Sequence, residues 1–171
     1  GMYGASWEED GVVDAFLNVG DIVGYGQDYT EYESIYFSVI EDYSGNIPSM
    51  TVVGNHDYEF PMPDPVPSPD NWLNFFIRDN PVPFGETEWS AQFCMVYIIT
   101  YDYMCTDLSG QETWIEAQLD SAQADPTVDW IIMLNHAPPY SETWNWGANW
   151  WTESVVLPMA KARSKCRLMI S

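Results

Sequence analysis

Apolar residues in this chain gather into short runs that stop at glycine or at a polar side chain able to bind a ligand. Phe16-Leu17-Asn18-Val19 stops at Gly20-Asp21, and Met50-Thr51-Val52-Val53 stops at Gly54-Asn55-His56-Asp57. Ile131-Ile132-Met133-Leu134 stops at Asn135-His136. Short apolar runs bounded by turn residues read as buried strands that open into loops, which predicts strands over 16–19, 50–53 and 129–134. In open α/β sheets ligands collect at the carboxyl ends of strands. Asp21, Asn55, His56 and His136 are therefore directed toward one edge. The chain has two histidines, and both stand at such a strand end.

Between these runs the pattern changes. Tyr32, Ile35, Tyr36, Val39 and Ile40 recur at helical spacing and predict an amphipathic helix over 30–43, opened by Asp28-Tyr29-Thr30-Glu31. Proline at Pro61, Pro63, Pro65, Pro67 and Pro69 excludes helix and sheet interior and predicts a stiff extended loop. That loop is either a rim beside Asn55 and His56 or a plain connector. Asp70 is expected to cap a short helix through Phe76. Trp89 to Tyr101 reads as strand, with Val96 to Thr100 beginning a second sheet. Ser109-Gly110-Gln111-Glu112 opens a helix ending near Ala122. A helix over 154–162 and a strand over 167–170 follow, and residues 1–11 read as loop. Strands alternating with helices around a β-rich middle fit one α/β domain over 1–171 built on two sheets.

Composition narrows the function classes. A length of 171 residues suffices for one domain with a substantial core, and 46% hydrophobic with 16% aromatic residues argues for a packed globule. No apolar run approaches the ~18 residues of a membrane span, and Gly1 to Asp10 is polar and acidic, with no legible signal peptide. The net charge is −21, and all 26 acidic residues precede position 154. The five basic residues are Arg78, Lys161, Arg163, Lys165 and Arg167. Without a basic footprint, nucleic-acid binding and attraction to anionic membranes are disfavoured. The acidic surface suits a saline or calcium-rich medium, such as a secreted protein meets. Cys94, Cys105 and Cys166 lack the spacing of a zinc ribbon or redox motif. Cys94 and Cys105 are either a disulfide, if the strand near 93 to 101 folds back, or buried free thiols.

Gly20-Asp21, Gly54-Asn55-His56-Asp57 and Asn135-His136 resemble, in order and spacing, the middle three motifs of calcineurin-like metallophosphoesterases. The stretch Gln111 to Leu119 is more similar to the purple-acid-phosphatase-like branch. The resemblance covers residues 14 to 171 and implies a four-layer αββα sandwich. It also implies two divalent or trivalent metal ions, iron, manganese or zinc, whose mixed oxygen and imidazole ligands fit such metals. Asp21 would bridge the pair, and Asn55 and His136 would bind the second ion. Two metals about 3.5–4 Å apart clamp a phosphate and activate a water. His56 would serve the leaving-group oxygen as acid or hydrogen-bond donor, and Asp57 would orient its imidazole. The implied partner is a small phosphate ester or nucleotide; oligomeric state is not legible.

The family pattern also has an Asp-x-His before the first of these motifs and a Gly-His-x-His after the last, and neither is present in residues 1–171. The sandwich is therefore expected to be incomplete at both ends, and these residues alone are expected to hold at most one ion weakly and to be inactive. Purple acid phosphatases place a tyrosine three residues after the bridging Asp. Gly24 stands there in this chain, so Tyr25 receives no ligand role. Trp144, Trp146, Trp150 and Trp151 form either a stacking surface for a sugar or base or a core and interface cluster. The rival classes are a non-catalytic acidic binding domain that keeps the fold, and an aromatic-rich carbohydrate-binding module.

Overall fold

The computed structural model describes residues 13, 15–44, 47–58, 68–76, 87–143 and 147–171. Within them, β1 (Phe16–Asn18) and β2 (Ser49–Thr51) pair in parallel, with Leu17 opposite Met50. A helical segment over 29–44, α1, makes the crossover that parallel pairing requires. The second sheet has the spatial order β3 (Ser90–Phe93), β4 (Val96–Thr100), β5 (Trp130–Leu134), β6 (Cys166–Ile170). The first pair is an antiparallel hairpin and the others are parallel. The strand expected over 89–101 is thus folded in two, and its turn puts Cys94 at φ +49°. Crossovers between the parallel strands are α3 (Leu108–Ala124) and α4, a helical run over 152–161; α2 (Asp70–Phe75) lies earlier in the chain.

Alternation along the second sheet explains how it is buried on both faces. Tyr97, Ile99, Ile131, Met133 and Met169 pack with Ile115 and Leu119 of α3 and with Val156 and Ala160 of α4. The intervening residues Val96, Ile98, Ile132, Leu134 and Ile170 pack with Met50, Val52 and Trp89. Trp89 also donates its indole N–H to the carbonyl of Thr51 at 3.0 Å, a buried bond from one sheet to the other. The result is a partial α/β sandwich: two sheets face to face, with α3 and α4 on the outer face of the larger one. A third cluster joins Tyr32 and Tyr36 of α1 and Trp72 of α2 to Ile22, Val23, Val53 and Tyr58, at the strand ends.

Three local expectations are corrected. In α1 the buried positions are Tyr32 and Tyr36, with Phe37 and Ile40 partly buried, while Ile35 and Val39 are exposed. The cause is a π-helical stretch, Tyr32–Phe37, in which the Ser38 amide reaches back five residues to Glu33. The wider turn rotates the apolar stripe away from the 3.6-residue register. The cap of α3 is Asp107, which accepts from the Gly110 amide at 2.9 Å, and the helix starts at Leu108. Asp70 is the first residue of α2 and does not cap it.

The cysteines are free thiols, with Cys94 exposed. The proline run before Ser68, the N-terminal loop over 1–11, the Ser44-Gly45-Asn46 helix end beyond Ser44, and Trp144 and Trp146 lie outside the described residues. Of the two readings of the tryptophans, stacking surface or core and interface, Trp151 takes the core one: it is buried and meets Tyr101 edge to face at 5.6 Å. Trp150 is exposed. Urea unfolding should therefore separate the two neighbours. Trp151→Ala is expected to cost about 3–5 kcal/mol, and Trp150→Ala to stay within about 0.5 kcal/mol of the parent.

Candidate metal centre

The loops after β1 and β2 leave adjacent parallel strands and must come close for their side chains to meet. Glycine permits this. Gly20 sits at φ +91° and Asp21 at φ +53°, so the chain turns sharply through two left-handed residues, which a β-branched side chain would resist. A Cβ at Gly20 would lie 2.8 Å from the amide nitrogen of Gly54 and 3.1 Å from Nδ1 of His136. A Cβ at Gly54 would fall on the amide nitrogen and Oδ1 of Asp21. The glycines of the two motifs are thus pressed against each other's loops.

Asp57 locks this contact. Its carboxylate is fully buried, with Oδ2 accepting from the amides of Gly54 at 2.7 Å and Asp21 at 2.9 Å, and Oδ1 from Ile22 at 3.0 Å. Burial pushes its pKa up to about 6, the amide bonds pull against that, and the charge of Asp21 adds to the rise. The expected pairing with the His56 ring is replaced. A turn returns the Asp57 amide to the Gly54 carbonyl at 3.3 Å and folds the carboxylate under the loop. The His56 ring is oriented by the Gly24 carbonyl, 2.8 Å from Nδ1. With Nδ1 donating there, Nε2 has no partner among the described residues, on an exposed side chain.

Asp21, Asn55 and His136 come together. Nε2 of His136 lies 3.2 Å from Oδ2 of Asp21 and 3.1 Å from Oδ1 of Asn55. Its Nδ1 lies 2.8 Å from the Val19 carbonyl, an acceptor, so Nδ1 carries a hydrogen and Nε2 is the nitrogen that faces Asp21 and Asn55. A second ring nitrogen held on a backbone carbonyl is the usual support of a metal-binding histidine. The other oxygen of Asp21 accepts from the His56 amide at 2.8 Å. His136 comes from β5 of the larger sheet and the other two from the smaller, so the site bridges both sheets at their carboxyl ends.

Electrostatics at this point demand a cation. Two oxygens and a nitrogen converge, and all three are acceptors unless something positive sits among them. In the metal-free protein a proton on His136 would fill that place. Burial works against the charged ring, but the hydrogen bond and charge of Asp21 prevail and raise its pKa. Reciprocally, burial opposes ionisation of Asp21, yet the bonds from His136 and the His56 amide hold its carboxyl below the ordinary value. The donor set of carboxylate, amide oxygen and imidazole fits a metal ion with open positions. Among the described residues no group of three or more His, Cys, Asp or Glu side chains able to hold a metal is found; the set here has two of those types, and Asn55 is its third member.

Sequence reasoning missed Tyr103. Its hydroxyl donates to Oδ1 of Asn55 at 3.2 Å, and its ring stacks on His136 with centroids 6.2 Å apart. Burial, helped by the charges of Asp21 and Asp102, pushes its pKa above the ordinary tyrosine value. It follows β4, which lies beside β5, so the rule that directed attention to the ends of the other strands reaches it as well.

Asp57→Asn tests the locking role. An amide has one acceptor atom where three N–H groups converge on two oxygens, so at least one donor is left facing a donor. The variant is expected to lose about 1–3 kcal/mol of stability in denaturant unfolding. A carboxylate that served only the exposed ring of His56 would leave stability unchanged.

The family model of calcineurin-like phosphoesterases matches residues 6–171. No curated protein matches the chain. Among solved structures, the purple acid phosphatase PPD1 isolated from yellow lupin (Lupinus luteus) seeds superposes with a TM-score of 0.66 at 20% identity, over 80% of this chain. GAP50, the anchor in the inner membrane complex of Plasmodium, superposes with a TM-score of 0.68 at 18% identity, over 97% of this chain. The chain spans 25% of the lupin protein and 57% of GAP50. At these identities the likeness is one of fold, whereas the family model matches nearly the whole sequence, strand-end motifs included: the chain belongs to the calcineurin-like phosphoesterase family.

Proposed function

We propose that this chain carries the centre of a metal-dependent phosphoric ester hydrolase built on a single four-layer αββα domain. His136 carries the reading: its Nε2 meets Oδ2 of Asp21 at 3.2 Å and Oδ1 of Asn55 at 3.1 Å, while Nδ1 is already committed to the Val19 carbonyl at 2.8 Å. Asp21, Asn55 and His136 would hold metal, with iron, manganese and zinc the candidates and Asp21 the residue suited to bridge two ions. Bound metal supplies Lewis acidity and an activated water for attack on phosphorus.

The residues around it do the rest. His56 holds its ring by Nδ1 on the Gly24 carbonyl and presents Nε2 to the leaving-group oxygen, where the protonated ring gives up its proton as the ester bond breaks. Asp57 is a positioning residue: through the amides of Gly54, Asp21 and Ile22 it fixes where Asp21 and Asn55 stand. The substrate class is a small phosphate ester or a nucleotide.

A second reading, a binding domain that keeps the fold without a working metal centre, draws on the small number of His, Cys, Asp and Glu ligands among the described residues. Metal analysis and phosphatase assays on the whole protein separate the two. His136→Ala is expected to abolish metal uptake. His56→Ala should keep its metal yet lower turnover of an alkyl phosphate by about 10²–10⁴-fold, with a smaller loss on p-nitrophenyl phosphate, whose leaving group needs no proton. Equal losses on both esters would remove His56 from the acid role. A wild-type protein that takes up no metal would leave the binding domain as the surviving reading.

A further inference from the structure

Asn55 is the weakest-defined member of the ligand set. A carboxylate presents the same atom from either end, but a half-turn of an amide exchanges an acceptor oxygen for an NH2 group, and only the oxygen binds a metal. A proton on His136 Nε2, 3.1 Å away, would hold Oδ1 inward, but a metal ion would displace that proton, so a second group must keep the amide turned. The Tyr103 hydroxyl is placed to do so, 3.2 Å from Oδ1, and its proton has no other acceptor among the described residues. If the amide turned over, its NH2 would donate to the hydroxyl oxygen and the hydroxyl proton would lose its acceptor in a half-buried position, which is unfavourable.

Tyr103 is itself held in place. It sits in a turn where the Asp102 amide donates to Oε1 of Gln111 at 2.8 Å and the Met104 amide to Oδ1 of Asp102 at 2.9 Å. The other oxygen of Asp102 accepts from the Tyr58 hydroxyl, and Tyr58 directly follows the Gly54 to Asp57 motif. That bond ties the turn after β4 to the loop after β2. The tyrosine ring lies on His136 at an interplanar angle of 30°. One side chain therefore touches two members of the set, Asn55 by its hydroxyl and His136 by its ring face.

We propose that Tyr103 is a positioning residue that keeps the Asn55 amide turned with Oδ1 toward the metal position. This rests on the metal reading given above and adds to it a residue outside the strand-end motifs.

The test is a double-substitution cycle in the whole protein, read by Mn(II) binding followed by electron paramagnetic resonance. The His136→Ala protein serves as the blank for ions held by the acidic surface. Tyr103→Phe keeps the ring on His136 and deletes only the hydroxyl; it is expected to weaken Mn(II) binding by about 10–100-fold. In the Asn55→Asp background, where both oxygens of the side chain are equivalent, the same substitution should change binding by less than about 3-fold. A loss of equal size in both backgrounds would make the hydroxyl a general structural support and overturn the proposal, as would unchanged binding with Asn55 present. Wild-type protein that binds no Mn(II) above the blank would overturn the metal reading instead. The Asn55 side-chain amide resonances of the metal-free protein then decide on Tyr103: shifted or exchange-broadened by Tyr103→Phe they support its hold on the amide, and unchanged they overturn it.

Discussion

One buried carboxylate holds two loops in contact, and the site depends on it. Removing a carboxylate from water costs several kcal/mol even after relaxation, so Asp57 is stable inside only because three backbone amides point at it. Those amides belong to both loops, Gly54 to one and Asp21 and Ile22 to the other. The bonds can form only if the backbones approach, and the approach leaves no room for a Cβ at Gly20 or Gly54. Glycine and aspartate are therefore two halves of one constraint. The side chains of Asp21 and Asn55 stand where that constraint puts them.

The third partner arrives from the other sheet, which ties the site to the packing of the sandwich. His136 follows β5, whose alternate residues Ile132 and Leu134 lie in the same apolar layer as Met50 of β2 and Val52 just after it. A one-residue slip in β5 would turn those residues to the opposite face and carry His136 away from Asp21. The Trp89 bond to the Thr51 carbonyl and the His136 bond to the Val19 carbonyl fasten the sheets to each other, one within the core and one at the site. Core and centre are thus held by the same register.

Much of this was legible in the chain. The strand ends that deliver Asp21, Asn55 and His136 follow from apolar runs that stop at Gly-Asp, Gly-Asn-His-Asp and Asn-His, and the helix at 29–44 follows from its spacing. What was not legible has a common cause, the geometry of backbone groups. The partner of the His56 ring is a carbonyl, that of Gly24, and the partners of Asp57 are amides, which every residue carries and no pattern marks. The π-helical stretch at Tyr32–Phe37 likewise depends on which carbonyl an amide selects, and periodicity at 3.6 residues therefore put Ile35 and Val39 on the wrong side. Tyr103 escaped for another reason: it stands beyond a strand end with no glycine or histidine beside it, and its meaning comes only from its contacts with Asn55 and His136.

On the proposed reading, the charge of the protein sets the condition under which the centre would receive a phosphate ester. A net charge of −21 repels an anion, but distant carboxylates are screened beyond about 8–10 Å at physiological ionic strength. The near ones are not: Asp21 stands in the centre itself, and Asp57 is buried behind it on the amides of Gly54, Asp21 and Ile22. Two of the basic side chains are also committed elsewhere, Arg163 to Asp120 at 2.6 Å and Lys165 to the Asp125 carbonyl at 2.6 Å, both bracing α4 and the turn after it against α3. A proton on His136 only balances Asp21. Reversal of sign at the site needs more positive charge than that proton supplies, and a di- or trivalent cation among Asp21, Asn55 and His136 is the species of sufficient charge that these ligands suit. On the proposed reading, affinity for a phosphate ester and affinity for metal are therefore not independent properties of this protein. The first has no electrostatic basis at this position without the second.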